Sequence, residues 1–225
     1  MLIYGKQSIY YLIENHPNKI QRLYLAKDID KKEYGRLMKH AFELKRIPQQ
    51  AAQQMSKSGN HQGYLAEVDD LMLKATSFLK DKTFVLILSG ITDVGNMGAI
   101  IRSAYALGVD AVVISGLNKI ALEPIARSSS GALFDMPLLF CKNTLDIIND
   151  LKTMDYTVYG AAMEGENING VRMSDKRVLV LGSEGEGIAL RVQKKLDYKI
   201  KVEMAHGFDS LNVSAAGAIL MDRMR

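Results

Sequence analysis

The feature that most constrains the fold is an apolar run at residues 178–181 that ends abruptly in a glycine-rich segment. The run alternates valine with leucine, which is typical of a strand covered on both faces within a parallel sheet. Residues 182–187 then place three glycines within six positions. Because glycine has no Cβ, its backbone can approach a ligand closely. The segment is therefore either a plain strand-to-helix connection or a binding loop.

A second strand and a helix of small residues complete the C-terminal region. The strand is predicted over residues 198–204, and Asp209 or Ser210 is expected to cap a helix that runs to Met224. Positions 214–218 of this helix are serine, alanine and glycine. Such small side chains indicate either tight packing on the sheet or contact with a ligand or a second subunit.

From Thr83 onward the chain alternates apolar strands with helices, which predicts an α/β fold with a mainly parallel sheet. The first buried strand of this region is expected at residues 84–88. Asn96 is expected to cap the helix that follows. That helix should end at Gly108, since glycine is common just after the last helical residue.

The N-terminal part of the chain is predicted to form a separate, smaller α/β unit. Its longest helix should be capped by Asp30 and extend to about residue 44, with Tyr34, Met38 and Phe42 among its apolar positions. The segment that follows this unit is interpreted as a linker with partial helix. The predicted division is 1–68 for the first unit, 69–82 for the linker and 83–225 for the second domain.

The positive charge of the chain is concentrated at its N-terminal end. Residues 1–68 contain 11 Lys and Arg against 6 Asp and Glu, whereas the remainder contains 18 against 19. Six of the ten tyrosines also lie in the first 68 residues. Basic and aromatic residues together suit a polyanion with exposed bases, such as structured RNA. The same composition also fits a solvated surface over a core that contains tyrosines.

The sequence also argues against several other classes of protein. No apolar run approaches the roughly 20 residues that span a bilayer, and the first residues lack the apolar core of a signal peptide. A cytoplasmic location is therefore expected, without a membrane partner. Cys141 is the single cysteine, and the four histidines are scattered, so neither a disulfide nor a metal site is expected.

Three segments resemble the motifs of a known family. Residues 96–104, 182–187 and 210–214 are similar to the first, second and third motifs of the SpoU (TrmH-type) RNA 2′-O-methyltransferases of the SPOUT superfamily. The similarity extends over residues 83–225. It implies an α/β fold with a deep C-terminal trefoil knot, S-adenosylmethionine bound inside the knot, and a homodimer.

The first 68 residues resemble the small L30e-like RNA-binding domain that precedes the catalytic domain in one branch of this family. Residues 61–63 are typical of that branch. The resemblance implies methylation of a guanosine ribose in 23S ribosomal RNA. Because the catalytic motifs are shared across substrates, a tRNA substrate stays open. A non-catalytic RNA-binding or ribosome-assembly protein with the same fold is the alternative from another class.

The resemblance also implies which residues form the site, and it shows one departure from the family. Glu203 stands where the family usually has proline, and because proline fixes φ, this cofactor loop is expected to be looser. The implied catalytic residues are Asn96, Arg102, Glu184, Ser210 and Asn212. The implied cofactor-binding residues are Gly182, Val202, Met204 and Leu211.

Methyl transfer to a ribose hydroxyl requires alignment of the oxygen with the methyl carbon, and the hydroxyl must lose its proton. The family assigns that proton to the arginine of the first motif, here Arg102. A guanidinium, however, has a pKa above about 12 and is essentially always protonated. Arg102 is therefore either a strongly perturbed base or, as we expect, an anchor for the phosphate beside the target ribose.

Overall fold

The computed structural model describes residues 1–57, 59–206 and 209–225. Ten strands and eight α-helices lie within these ranges, and the described helices are all too short or too polar to span a bilayer. The strands are β1 (Leu2–Tyr4), β2 (Ile20–Leu25), β3 (Glu43–Arg46), β4 (Tyr64–Val68), β5 (Phe84–Ser89), β6 (Ala111–Ser115), β7 (Leu138–Cys141), β8 (Thr157–Asn167), β9 (Arg177–Leu181) and β10 (Tyr198–Lys201). The α-helices are α1 (Lys6–Asn15), α2 (Lys31–Leu37), α3 (Gln49–Met55), α4 (Val94–Ala106), α5 (Leu122–Ser128), α6 (Thr144–Thr153), α7 (Leu190–Gln193) and α8 (Val213–Met224).

The chain divides into two compact units. The first consists of Met1–Leu71 and Ala121–Phe134, and the second of Met72–Ile120 and Asp135–Arg225. The grouping of Ala121–Phe134 with the first unit differs from the predicted division, which placed these residues in the catalytic domain.

The first unit is built on a four-stranded sheet with the order β1-β4-β2-β3. Strand β4 is antiparallel to both of its neighbours, whereas β2 and β3 are parallel. Helix α5 packs in this unit, where Ser8 Oγ donates to the carbonyl oxygens of Ala126 and Arg127 at 3.4 and 3.3 Å. These contacts span more than 100 residues of sequence, so a local pattern could not reveal them.

The second unit is built on a six-stranded sheet with the order β10-β8-β9-β5-β6-β7, and all its neighbouring strands are parallel. Every residue of β5 and β6 is buried, as expected for strands covered on both faces. Side chains of α6 and α7 join the core cluster beside β5 and β9. The predicted mainly parallel α/β fold is confirmed, and the trefoil knot stays a prediction.

Helix α2 is shorter than predicted. Asp30 caps it as expected, accepting from the backbone N–H of Glu33 at 2.7 Å, but the helix ends at Leu37 rather than near residue 44. The chain then turns and pairs with β2 as strand β3. Pairing with a distant strand therefore determines the structure of these residues, against the helical periodicity of their side chains.

Two predicted helix caps were also wrong. Asp93, rather than Asn96, caps α4, since its carboxylate accepts from the backbone N–H of Asn96 at 2.7 Å. Asn212, rather than Asp209 or Ser210, caps α8 by accepting from the N–H of Ser214 at 2.9 Å. In both cases several cap-forming residue types stand close together, and local sequence does not choose between them.

Candidate active site

A cavity of about 650 Å³ lies in the second unit. Four segments form most of its wall, namely residues 161–164, 181–188, 200–204 and 209–213. The structure places all four expected cofactor residues at this wall, together with three of the five expected catalytic residues. These are Gly182, Val202, Met204 and Leu211, and Glu184, Ser210 and Asn212.

The glycine-rich segment forms a closed loop beside the cavity. Ser183 and Gly187 exchange two backbone hydrogen bonds, at 3.1 and 3.0 Å. Gly182 leaves no room for a side chain, because a Cβ there would lie 2.1 Å from the carbonyl carbon of Gly187 and 2.3 Å from the nitrogen of Ile188. The segment is therefore a closely packed backbone loop that forms part of the cavity wall. This supports its interpretation as a binding loop over that as a plain strand-to-helix connection.

Side chains from all three motifs meet at Glu184, where two amides donate to one carboxylate oxygen. Glu184 Oε1 accepts from Asn96 Nδ2 at 2.7 Å and from Asn212 Nδ2 at 2.6 Å. Asn212 Nδ2 also lies 3.1 Å from Asn96 Oδ1. Hydrogen bonds to an ionised acceptor are stronger than those between neutral groups, so this cluster fixes the positions of all three side chains.

The secondary structure orients the two asparagines of this cluster. Asn96 lies in the first turn of α4, where the Asp93 cap holds its backbone N–H, so its side-chain amide is available for Glu184. The side chain of Asn212 makes two contacts: its Oδ1 caps α8, and its Nδ2 donates to Glu184. Ser210 lines the cavity, but no hydrogen bond joins it to this cluster among the described residues.

Arg102 is exposed and lies six residues beyond Asn96 on α4. At 1.5 Å and 100° per residue, it is displaced about 9 Å along the helix and about 240° around it relative to Asn96. Among the described residues it is not part of the cavity wall. Arg102 and Asn96 therefore project from different sides of α4, although the resemblance placed them in one pocket.

A bulge in β8 forms the part of the cavity wall that sequence reasoning missed. Its pairing with β10 passes from Gly160↔Lys199 directly to Glu166↔Ile200, so residues 161–165 protrude. Gly165 has no room for a Cβ, which would lie 2.6 Å from the nitrogen of Ile200. The change of register depends on the pairing with β10, which the local sequence does not show.

The cavity wall carries more negative than positive charge. Five carboxylates line it, whereas Lys201 is the only lysine or arginine among the described lining residues. One carboxylate, Glu164, pairs with Lys199 at 2.8 Å, and this hydrogen bond holds the pKa of Glu164 below its usual value. Within the described ranges, no group of three or more His, Cys, Asp or Glu residues is positioned to hold a metal ion.

The fold and the cavity define a mainly parallel α/β protein with a ligand pocket beside an amide–carboxylate cluster. Residues 83–222 match the model of the SpoU rRNA Methylase family, and residues 2–73 match the model for RNA 2′-O ribose methyltransferase substrate binding. The chain therefore belongs to the SpoU rRNA methylase family. The family and the enzyme class predicted from the motifs, RNA 2′-O-methyltransferase, are confirmed.

Curated relatives match over nearly the whole chain. The 23S rRNA (guanosine-2′-O-)-methyltransferase RlmB of Pseudomonas putida is 30% identical over 240 residues, covering 99% of this chain and 95% of the relative. RlmB of Salmonella typhimurium is 31% identical over 233 residues, covering 98% and 96%. The crystal structure of the SpoU methyltransferase AviRb from Streptomyces viridochromogenes, in complex with the cofactor AdoMet, has a similar fold. Its TM-score is 0.80 at 19% identity, covering 100% of this chain and 88% of that one.

Proposed function

We propose that this protein transfers the methyl group of S-adenosylmethionine to the ribose 2′-hydroxyl of a guanosine in 23S ribosomal RNA. The observation that carries the proposal is the Glu184 cluster, which joins the three sequence motifs at the edge of a ligand-sized cavity. The relatives from Pseudomonas putida and Salmonella typhimurium, which span nearly the same length, carry that activity in their names.

The cavity suits this cofactor in its backbone wall and in its charge. Gly182 lines the cavity and carries no side chain, so a ligand at this position faces main-chain atoms. The surplus of carboxylates favours a ligand that carries a sulfonium and an ammonium group. When bound, S-adenosylmethionine supplies an electrophilic methyl group. The residues that would hold it are Gly182, Val202, Met204 and Leu211.

The protein contributes alignment and charge to the reaction. The Glu184 cluster fixes the start of α4 relative to the glycine-rich loop, and this loop forms the cavity wall. Arg102, supplied by a second copy of the chain, binds the phosphate beside the target ribose and holds the 2′-hydroxyl facing the methyl group. Ser210 supplies a hydroxyl at the cavity wall that can accept a hydrogen bond from the ribose.

A homodimer would supply Arg102 to the cavity from a second copy of the chain. Arg102 is turned away from Asn96 around α4, so a complete site requires a partner at this helix. Helices α4 and α8 pack against each other and carry the exposed apolar side chains Tyr105 (44%) and Ile219 (37%). Exposed apolar side chains of this size are consistent with a subunit interface.

The remaining assignments follow from this function. Residues 1–68 contribute to RNA binding, residues 69–82 connect the two parts, and residues 83–225 carry the catalytic site. Because ribosomal RNA is modified inside the cell, we propose a cytoplasmic location.

The test is transfer of a labelled methyl group from S-adenosylmethionine to purified RNA lacking the modification. We expect incorporation into 23S ribosomal RNA and none into tRNA under the same conditions. Incorporation into tRNA alone would replace the substrate assignment. RNA binding without incorporation into either RNA would identify a non-catalytic RNA-binding protein.

A further inference from the structure

The surface formed by α2, the turn after it and β3, residues 31–46, exposes side chains at apolar positions of the predicted helix. Leu37 is the only buried residue in this stretch. Tyr34 is 38% exposed and Met38 is 56% exposed, although both occupy apolar positions of the predicted helix. Tyr34 lies within α2, and Met38 lies just beyond its last residue. We refer to residues 31–46 as the α2–β3 face.

Aromatic rings of the α2–β3 face are held in defined positions. The guanidinium of Arg46 lies 6.0 Å from the centre of the Tyr34 ring. The rings of His40 and Phe42 stack on each other, with centroids 5.4 Å apart and an angle of 11° between their planes. Contacts of this kind reduce the freedom of a ring before any partner arrives, which lowers the entropic cost of binding.

The same face carries three lysines that form no ion pair within the described part of the chain. Lys31, Lys32 and Lys39 are all exposed, and none of them belongs to the ion pairs that the described residues form. In contrast, Arg36 pairs with Glu14 at 2.5 Å and Arg46 pairs with Asp28 at 3.1 Å. Uncompensated cations beside exposed aromatic rings favour a ligand that offers both negative charge and flat apolar surfaces.

Gly35 adds an independent indication. It lies inside α2, where glycine is less stable than alanine, yet a Cβ at this position would meet no atom within 4 Å. Packing inside the chain therefore does not require glycine here. Lys31, Lys32 and Tyr34 surround it in sequence, so the absence of a side chain gives a ligand close access to the backbone between them.

We propose that the α2–β3 face binds an unpaired segment of the RNA substrate. Lys31, Lys32 and Lys39 contact its phosphates, a base stacks on Tyr34, and the strand passes over Gly35. Bases within a duplex have both faces covered by their neighbours, whereas unpaired bases can stack on protein rings. The proposal rests on the proposed function, because it takes RNA as the substrate. It adds that the α2–β3 face binds this RNA and that the bound segment is unpaired.

The experiment measures the affinity of the full-length protein for two fluorescent RNAs of equal length, a hairpin with a large unpaired loop and a fully paired duplex. The test variant is Lys31→Gln/Lys32→Gln. The matched control is Lys194→Gln/Lys195→Gln, which removes another adjacent pair of exposed lysines and changes the net charge equally. Two lost phosphate contacts should weaken hairpin binding roughly tenfold near 0.15 M salt and reduce the dependence on salt, while the control stays close to wild type.

Two further variants separate stacking from charge. Tyr34→Ala should weaken hairpin binding about tenfold and change duplex binding little, because it removes only a stacking surface. Gly35→Ala should raise the melting temperature by about 2–4 °C and still weaken hairpin binding. Misfolding cannot explain a loss of RNA affinity in a variant that has become more stable.

The proposal is overturned if the test and control lysine pairs behave alike, or if Tyr34→Ala affects duplex and hairpin equally. It is also overturned if Gly35→Ala stabilises the protein without loss of affinity. Methyl transfer by the wild-type protein, measured separately, distinguishes these results from failure of the proposed function. If transfer occurs and the variants bind normally, the enzyme assignment holds and the α2–β3 face is not its RNA-binding surface.

Discussion

The packing around Gly182 leads to a quantitative prediction. In Gly182→Ala, the new Cβ would lie 2.1 Å from the carbonyl carbon of Gly187 and 2.3 Å from both its oxygen and the nitrogen of Ile188. These atoms belong to the backbone, so the loop itself must move by roughly 1 Å to restore normal contact distances. Such a movement strains or breaks the two hydrogen bonds between Ser183 and Gly187.

The expected cost combines overpacking with the loss of those hydrogen bonds. Overpacking typically costs about 1–3 kcal/mol, and each net hydrogen bond contributes about 1 kcal/mol. The free energy of unfolding should therefore fall by about 2–5 kcal/mol, which lowers the melting temperature of a chain of this size by about 4–20 °C. Because the displaced loop is a wall of the cavity, affinity for S-adenosylmethionine should fall as well.

The control variant is Gly185→Ala in the same loop. A Cβ at Gly185 would meet nothing within 4 Å, so thermal unfolding should stay close to that of the wild type. Thermal denaturation and calorimetric titration with S-adenosylmethionine measure the two effects. If Gly182→Ala melts at the same temperature as Gly185→Ala, the described loop packing is wrong.

Three other perturbations test separate parts of the site and the fold. Arg102→Ala should reduce methyl transfer by at least about 100-fold while changing the Kd for S-adenosylmethionine less than about twofold, and an equal loss of both would remove Arg102 from the chemistry. Glu203→Pro restores the family's proline. It should tighten cofactor binding about two- to fivefold, because proline restricts the loop before the cofactor binds. Weaker binding would show that the backbone at this position cannot accept proline. Burial and the hydrogen bond to Glu33 raise the pKa of Tyr10 to about 12 from its usual 10.0, so the folded state favours the protonated phenol. The contribution of this phenol to the stability of the folded protein is complete below pH 10.0 and is lost as pH rises towards about 12. The free energy of unfolding of Tyr10→Phe, measured with denaturant, should therefore depend less on pH in that range than that of the wild type.

The parts of the fold that the sequence predicts well are those determined by local pattern. The apolar run at residues 178–181 is strand β9, and the run at residues 84–88 is β5, because continuous apolar residues are stable only when both faces of a strand are covered. Gly108 follows α4 with a φ of +78°, a conformation that glycine adopts without strain. Local propensity and tertiary structure agree at these positions.

The parts that were missed depend on contacts between distant residues. Asp93 and Asn96 can each cap a helix, and the choice becomes clear only from Glu184, which lies 88 residues after Asn96 and binds its side chain. Strand β3 forms because β2 offers it a partner, and the bulge at residues 161–165 follows from the register with β10. For the site, the motifs identified residues whose side chains meet, namely Asn96, Glu184 and Asn212. The direction in which Arg102 projects became clear only from its position on helix α4.

The chemical identity of the product tests the central claim most directly. Ribosomal RNA is incubated with the protein and S-adenosylmethionine bearing a trideuterated methyl group, digested to nucleosides and measured by mass spectrometry. We predict one deuterated product, 2′-O-methylguanosine from 23S ribosomal RNA, absent when the protein is omitted. Deuterated methyl groups on bases alone, or on no nucleoside while unmodified substrate is present, would contradict the account.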